Sequence, residues 1–239
     1  MPRHAFPAFS VFPYYTKASA DSDEKKRIQG ILYAVKNGGQ LRDGSGKERP
    51  AVNWFAEALT GGEITLPPEV FGAKRLLVPI PSSSVTLVPP NRQQWPMLDL
   101  ATDIADKGVV GGAAPIILRT VAVPRAHMVS KDQKPSVERH IETMQIQLEE
   151  LGGYIGRLGG DLGITLLDDV LSSGTSAMAC YVALRRISFR GPITLLTAAH
   201  TVRSDYQGKL TASAKSLIVW MEGRWDRATR PASEIEVGT

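Results

Sequence analysis

The amino-acid sequence predicts an α/β fold in which a mainly parallel, twisted sheet is flanked by helices. Short, continuously apolar runs alternate along the chain with segments whose apolar residues have helical spacing. The runs lack the alternation of a half-exposed strand, which indicates strands covered on both faces. Two of the runs end in serine-rich loops, and ligands of parallel sheets bind at that end of the strands.

Two helices are expected before the first strand of this sheet. Apolar residues at helical spacing predict a helix over residues 21–36, which two glycines end. A second helix runs through residues 54–59 and stops at another pair of glycines. The apolar stretch 6–13 is interrupted by prolines and lacks the continuous core of a signal peptide. We therefore expect residues 1–72 to form an N-terminal helical hood.

The core of the sheet is expected within residues 73–202. Its apolar runs predict four strands, and amphipathic segments predict helices between them. Strands that alternate with helices favour right-handed crossovers and parallel pairing. The expected strands are 74–81, 115–118, 163–167 and 192–198, and the expected helices are 97–107, 136–151 and 174–187.

Residues 203–239 are expected to form a C-terminal extension. The apolar residues 216–221 predict one late strand. The next residues, 224–230, are basic and include Trp225, and we interpret them as a solvated surface rather than a base-stacking site. The last residues, 232–239, are expected to fray.

Composition excludes several classes of protein. The formal net charge of +4 is compatible with phosphate-rich ligands but does not establish nucleic-acid binding. The single cysteine, Cys180, rules out an intrachain disulfide framework and a zinc site built from cysteines. It falls in an expected helix and is interpreted as a small buried apolar residue. No apolar stretch is long enough to span a bilayer, so we expect a cytoplasmic protein without a membrane partner.

The most informative stretch is an apolar run that ends in two carboxylates, Asp168 and Asp169, and continues into a small polar loop. Carboxylates accept hydrogen bonds from vicinal sugar hydroxyls, and the loop offers backbone N–H and side-chain O–H donors for a phosphate at a helix N-terminus. The sequence therefore predicts a sugar-phosphate site, and the alternative is an ordinary helix cap. The loop consists of Ser172, Ser173, Gly174, Thr175 and Ser176.

This stretch closely resembles the phosphoribosyl-pyrophosphate (PRPP) signature of type I phosphoribosyltransferases. That signature is an apolar strand, two acidic residues, a spacer and a Thr/Ser-Thr/Ser-Gly-x-Thr/Ser loop. Asp168 and Asp169 stand at the acidic pair, and residues 172–176 stand at the loop, with Ser-Ser where Thr-Thr is commoner. The hydroxyl donors are thereby kept. The resemblance implies a Rossmann-type core like that of the type I phosphoribosyltransferases.

The order of elements over residues 21–199 is similar to the ComF-like branch of that family, which is associated with DNA uptake. The segments that carry this likeness are 33–39, 78–81, 118–119 and 138–139. The chain departs from the branch because it cannot build an N-terminal cysteine zinc module. Residues 91–95 replace an expected Arg-Gly-Phe-Asn-Gln run, and Glu142 replaces an expected asparagine. A competence role therefore carries over less well than the PRPP site.

The resemblance implies an Mg²⁺-dependent transfer of the 5-phosphoribosyl group from PRPP to a nucleobase or amine, with release of pyrophosphate. Residues 172–176 would hold the 5′-phosphate. Asp168 and Asp169 would grip the ribose hydroxyls and favour the oxocarbenium-like state. Mg²⁺ would be bound mainly through PRPP, with few direct protein ligands. The loop whose backbone would meet the pyrophosphate consists of Ser82, Ser83 and Ser84.

By the same resemblance, the polar segment 119–135 is a mobile loop that closes over the site. A cation from this region would stabilise the departing pyrophosphate. Arg125 and Lys131 are the candidates within the segment, and Arg139 of the following helix is a third. An exposed basic loop without a catalytic role is the alternative.

Two further functions stay open at this point. One is a non-catalytic module that senses PRPP or nucleotides, and the other is a DNA-processing accessory of the ComF type, for which nucleic acid would be a partner. The acceptor is expected to be selected by segments outside the core sheet, which here means residues 1–72 and the C-terminal extension. A homodimer is compatible with these expectations.

Overall fold

The computed structural model describes residues 4–14, 22–42, 46–62, 64, 66–83, 95–124, 129–130, 133–201, 214–221 and 224–229. Its strands are β1 (His4–Tyr14), β2 (Gln40–Arg42), β3 (Glu48–Pro50), β4 (Gly72–Pro79), β5 (Val110–Ala113), β6 (Ile117–Arg119), β7 (Met144–Ile146), β8 (Gly163–Leu171), β9 (Ile193–Thr201), β10 (Ala214–Met221) and β11 (Arg224–Thr229). Its helices are α1 (Asp23–Asn37), α2 (Ala51–Thr60), α3 (Pro96–Asp106), α4 (Val137–Glu142), α5 (Leu148–Leu158) and α6 (Thr175–Arg186).

A seven-stranded sheet in the order β11-β10-β1-β9-β8-β4-β5 forms the centre of the described structure. The five strands β1, β9, β8, β4 and β5 are parallel to one another. At the β1 edge, β10 and β11 extend the sheet in antiparallel pairing. This Rossmann-like arrangement confirms the prediction of a mainly parallel α/β sheet flanked by helices. The late strand expected at 216–221 is also confirmed, as β10.

Each face of the sheet is covered by helices. Phe9, Leu77, Leu167 and Leu196, from four strands, share a buried cluster with residues of α1, α2 and α3. On the opposite face, Leu166 belongs to a second buried cluster with residues of α4, α5 and α6. Because successive strand residues point to opposite faces, Leu166 and Leu167 enter different clusters. Burial on both faces explains why the β8 sequence is continuously apolar up to its acidic pair.

Helix α1 confirms the helix expected over residues 21–36. The Ser22 side chain caps it by accepting the backbone N–H of Lys25 at 3.3 Å. Gly38 ends it with φ of 65°, a left-handed conformation that glycine adopts without strain. Ile28 and Leu32 point into the core. Lys36 lies in the last turn, at the end of the helix that approaches β8.

The expected N-terminal helical hood over residues 1–72 is not confirmed, because residues 4–14 form β1 inside the main sheet. No strand was expected in this stretch, which contains prolines. Pro7 pairs only with β10, and Pro13 pairs only with β9. Each proline therefore occupies a position with one strand neighbour, where the missing N–H is tolerated.

The second strand expected at residues 115–118 is present in part as β6, but its expected place in the parallel sheet is wrong. The strand parallel to β4 is β5, which contains Gly111 and Gly112. A Cβ on Gly111 would collide with the Ala73 carbonyl and would lie 2.7 Å from Leu158 Cδ1. Glycine is thus required where β5 approaches its neighbours, although it weakens the strand signal in the sequence. Residues 117–119 form β6 instead, which pairs with β7.

The single helix expected over residues 136–151 is divided into α4, β7 and α5. Ser136 caps α4 as its sequence suggests, accepting the Arg139 N–H at 3.1 Å. The chain then leaves the helix at Thr143 because residues 144–146 pair with β6. The other expected core elements are present as β4, β8, β9, α3 and α6, and the second helix expected in the N-terminal segment is present as α2. Within the described residues, no helix combines the length and the apolar character needed to cross a membrane.

Candidate functional site

The two serine-containing loops follow adjacent strands at the carboxyl edge of the sheet. Strands β4 and β8 run side by side, with Pro79 opposite Leu167. The backbone N–H of Ile80 donates to the Leu167 carbonyl at 2.8 Å, so pairing continues beyond β4. The residues that follow, Ser82 and Ser83, therefore lie next to the acidic end of β8. Both loops therefore lie at the carboxyl edge of the sheet, as parallel strands require.

Asp168 and Asp169 occupy the last part of β8 and point to opposite faces of the sheet. Asp169 faces α1, where its Oδ2 atom lies 2.7 Å from Lys36 Nζ. The exposed fraction is 21% for the Asp169 side chain and 52% for that of Lys36, so this ion pair is open to solvent and to a ligand. The Oδ1 atom of Asp169 accepts the Val170 N–H at 2.6 Å, which fixes the carboxylate in place.

Asp168 faces α6, in surroundings that disfavour the charged form of its carboxyl group. Burial, followed by the neighbouring charge of Asp169, raises the pKa of Asp168 well above its usual value. Its Oδ1 atom accepts the Asp169 N–H at 2.9 Å, and this bond together with the Lys36 charge opposes the shift. Burial raises the pKa of Cys180 in α6 to about 12, with a further contribution from Asp168. Cys180 is therefore an inert buried thiol, as the sequence predicts.

The loop after β8 opens directly onto the N-terminus of α6. Gly174 has φ of 79° and supplies the left-handed turn into the helix. The Ser173 and Thr175 hydroxyl oxygens are 3.0 Å apart and on the exposed side of the turn. The first intrahelical bond runs from Met178 N–H to the Gly174 carbonyl at 2.9 Å. The preceding N–H groups are thus left for another acceptor, and no acidic residue occupies the first turn.

The backbone of the loop after β4 is held by the side chain of Arg119, at the end of β6. Arg119 Nε donates to the Ser82 carbonyl at 2.7 Å, and Nη2 lies 3.5 Å from the Pro81 carbonyl. The Val123 N–H donates to the Ser83 carbonyl at 2.9 Å. Two successive carbonyls of this loop are therefore anchored to the segment that begins at β6.

The same guanidinium also reaches α4. Arg119 Nη1 donates to the Thr143 hydroxyl at 2.6 Å, and Nη2 contacts His140 Nδ1 at 3.1 Å. Because arginine has only donors, His140 Nδ1 must be the acceptor and the ring proton must lie on Nε2. Burial, and then the charge of Arg119, lower the pKa of His140 to about 4.

Three of the expected site residues, Ser84, Arg125 and Lys131, lie outside the described residues. Arg139 lies on the exposed side of α4, where its Nη1 atom is 3.2 Å from Glu142. No contact among the described residues joins it to the acidic pair. The remaining expected residues, at the end of β8 and in the two loops, are brought to one edge of the sheet.

The structure adds two residues that the sequence analysis did not place in the site, Lys36 and Arg119. Both stand in segments noted for their likeness to the ComF-like branch, the Lys-x-Gly end of a helix and the Leu-Arg end of a strand. The likeness did not indicate which residues either side chain would contact. Their roles become visible only when α1 and β6 are placed against β8 and β4.

Comparison of the chain with models of protein families, with curated proteins and with solved structures finds no match in any of the three.

Proposed function

We propose that this protein is a phosphoribosyltransferase that takes the 5-phosphoribosyl group from PRPP. The observation that carries the proposal is the continuous arrangement at the end of β8. Two carboxylates are followed within a few residues by a hydroxyl-rich loop that turns through Gly174 onto a helix N-terminus. A sugar phosphate presents vicinal hydroxyls on one side and a phosphate on the other, and this arrangement offers a complementary group for each.

The loop 172–176 would hold the 5′-phosphate. This assignment is supported by the helix N-terminus that follows the loop, where N–H groups without a helical acceptor and the helix dipole favour an anion. The Ser173 and Thr175 hydroxyls add donors at the same turn. Ser172 and Ser173 are exposed, so a phosphate can approach without displacing packed side chains.

The acidic pair would receive the ribose hydroxyls. Asp169 offers a carboxylate whose present partner, Lys36, is half exposed and able to move to a phosphate oxygen when the sugar binds. The two carboxylates also supply hard oxygen donors, which fit Mg²⁺ that arrives with PRPP. When bound, Mg²⁺ would neutralise the charge that develops on the pyrophosphate. Among the described residues, no group of three His, Cys, Asp or Glu side chains is arranged to hold a metal ion.

In the proposed reaction, the bond between ribose C1 and the pyrophosphate oxygen breaks, and a bond from C1 to the acceptor nitrogen forms. The bonding pair leaves with the pyrophosphate, and the acceptor nitrogen loses a proton to solvent or to a nearby base. Positive charge builds on the ribose ring in between. The carboxylates of Asp168 and Asp169 would favour that charge, and the two loops would hold the ends of PRPP apart and aligned.

We further infer a core of the type I phosphoribosyltransferase kind, nearest in layout to the ComF-like branch. The PRPP-like signature and the order of elements support it. The helices before β4 that border the site, led by α1 with Lys36, would then take part in selecting the acceptor. The expected division at residues 72 and 202 stays a prediction, with the qualification that β1 belongs to the sheet.

The test is release of pyrophosphate from PRPP with Mg²⁺ and a panel of nucleobases and amines, combined with calorimetric titration of PRPP. The decisive variant is Asp169→Asn, which keeps the size of the side chain and removes its charge. We expect PRPP binding about 30-fold weaker, the loss of one hydrogen bond to a charged group. The matched control is Asp161→Asn, because Asp161 forms a similar ion pair with Lys74, 2.6 Å, at the opposite end of β8.

The outcomes separate the alternatives. Pyrophosphate release with one class of acceptor supports the transferase. PRPP binding without release for any acceptor supports the non-catalytic sensor. Equal binding of PRPP by the wild-type protein and the Asp169→Asn variant contradicts the assignment of the ribose hydroxyls. Salt-sensitive binding of single-stranded DNA without PRPP binding points to the DNA-processing accessory.

A further inference from the structure

The guanidinium of Arg119 is the centre of a buried joint between three segments. The residue is only 1% exposed, although arginine is rarely buried to this extent. Its donors reach the Ser82 carbonyl in the loop after β4, the Thr143 hydroxyl after α4, and His140 within α4. The next residue, Thr120, donates its N–H to the Thr143 carbonyl at 2.8 Å. The start of the polar segment that follows β6 is thus held to the C-terminal end of α4.

This arginine carries a charge that no carboxylate neutralises within the described residues. Burial lowers its pKa, yet an arginine side chain stays cationic at neutral pH. A buried charge costs free energy that its hydrogen bonds must offset, and an apolar residue of the same size would avoid that cost. Stability is therefore a poor explanation for the burial of this arginine. The geometry that its donors impose on their acceptors is the more direct one.

That geometry bears on the loop that would meet the pyrophosphate. In a trans peptide, the carbonyl and the N–H point in opposite directions. Arg119 draws the Ser82 carbonyl inward, so the N–H of the same peptide, which belongs to Ser83, is directed away from the guanidinium. The Ser83 carbonyl is in turn held by the Val123 N–H at 2.9 Å. The Ser83 N–H is thereby left as a backbone donor directed away from the guanidinium at the carboxyl edge of the sheet, and backbone donors of this kind are what an anion site requires.

We propose that Arg119 is a positioning residue that holds the Pro81–Ser83 backbone in the form that binds pyrophosphate, with Thr143 and His140 fixing the guanidinium. This inference rests on the proposed function, because it assigns the loop to the pyrophosphate of PRPP. Arg119 acts through the loop and does not itself touch the ligand. It should therefore affect one half of the PRPP site and spare the other.

The test compares two arginines that support loops in the same chemical way. Arg185 Nη1 donates to the carbonyls of Phe189 and Gly191 at 2.7 and 2.9 Å, in the loop before β9 at the opposite edge of the sheet. Arg119→Met and Arg185→Met are titrated with inorganic pyrophosphate in Mg²⁺ and, separately, with ribose 5-phosphate. We expect Arg119→Met to bind pyrophosphate at least about tenfold more weakly, with ribose 5-phosphate affinity kept. Arg185→Met should leave both affinities unchanged even where it lowers Tm.

Conservative variants keep the test decisive if Arg119→Met fails to fold. Arg119→Lys keeps the charge but cannot reach several acceptors at once, so its pyrophosphate affinity should fall between those of wild type and Met. Thr143→Val removes one acceptor and should weaken pyrophosphate binding selectively. Equal loss of both ligands in these variants, or no loss of pyrophosphate, overturns the inference while leaving the proposed function standing. A wild-type protein that binds neither ligand overturns both.

Discussion

Protonation of His140 should destabilise the fold as the pH falls through the mildly acidic range. His140 accepts a hydrogen bond from Arg119 at 3.1 Å and is buried beside that cation. The proton would remove the acceptor and place two positive charges together. Burial and Arg119 accordingly lower the pKa of His140 to about 4 in the folded state. In the unfolded chain the imidazole takes up its proton near pH 6.5, so unfolding is favoured between these two values.

The size of the effect follows from the two pKa values. The stability that neutral His140 contributes is fully present above the pKa of His140 in the unfolded chain. It is lost as the pH falls toward the pKa of His140 in the folded state. At pH 5 nearly all unfolded chains carry the proton and few folded ones do. Linkage then gives a loss of about 2 kcal/mol between pH 7.5 and pH 5 from this residue.

The assay is urea unfolding of the wild-type protein and His140→Gln at pH 7.5, 6 and 5. Glutamine offers an oxygen acceptor to Arg119 but does not titrate, so all other groups contribute equally to both proteins. We expect the free energy of unfolding to fall by about 2 kcal/mol more in wild type than in the variant. Parallel pH profiles for the two proteins would refute the reasoning, because they would mean that His140 is not held neutral by burial and Arg119.

Three further predictions concern the loop and strand end that would hold ribose 5-phosphate. Gly174→Ala should cost about 1 kcal/mol of stability, measured by urea unfolding, because φ of 79° is unfavourable for alanine; an unchanged stability would mean that the turn relaxes. The double change Ser173→Ala and Thr175→Ala should weaken ribose 5-phosphate binding about tenfold in calorimetry, and equal affinity would contradict the phosphate-loop assignment. Asp168→Asn should raise Tm at pH 7.5, because the raised pKa of Asp168 means that its charged carboxylate opposes folding. The gain in Tm should shrink toward pH 4, and a lower Tm at pH 7.5 would show that the fold stabilises the charge.

The elements with strong apolar periodicity were predictable from the sequence. Helix α1 and strand β8 are clear cases, because capping residues and a continuous apolar run specify them locally. The end of β8 could also be placed at the ligand edge of the sheet, since parallel strands share one carboxyl edge. The acidic pair and the loop 172–176 follow from that placement.

The elements that depend on distant partners were not predictable. Strand β5 contains two glycines because it packs closely on β4 and α5, and this requirement is invisible along the chain. Strand β1 carries prolines that are tolerated only because each faces a single neighbour. The break after α4 exists because residues 144–146 pair with β6. Each outcome is decided by pairing between segments far apart in sequence.

The candidate site also combines residues that the sequence indicates locally with residues that only the fold brings together. The carboxylates and hydroxyls of β8 and its loop were proposed as site residues from residue type and spacing. Lys36 was not, because its contact with Asp169 joins residues on α1 and β8 that only the fold brings together. Arg119 was likewise missed as a support for the Ser82 loop, since a buried arginine is unexpected and its acceptors are backbone carbonyls.

Calorimetric titration of the wild-type protein with PRPP in the presence of Mg²⁺, beside ribose 5-phosphate alone, tests the central claim most directly. A protein whose β8 end holds ribose 5-phosphate and whose Arg119-supported loop holds pyrophosphate should bind both ligands at one site, with PRPP bound more tightly. If neither ligand binds, or if both bind unchanged after Asp169→Asn together with Ser173→Ala, the acidic pair and the loop after β8 are not a sugar-phosphate site.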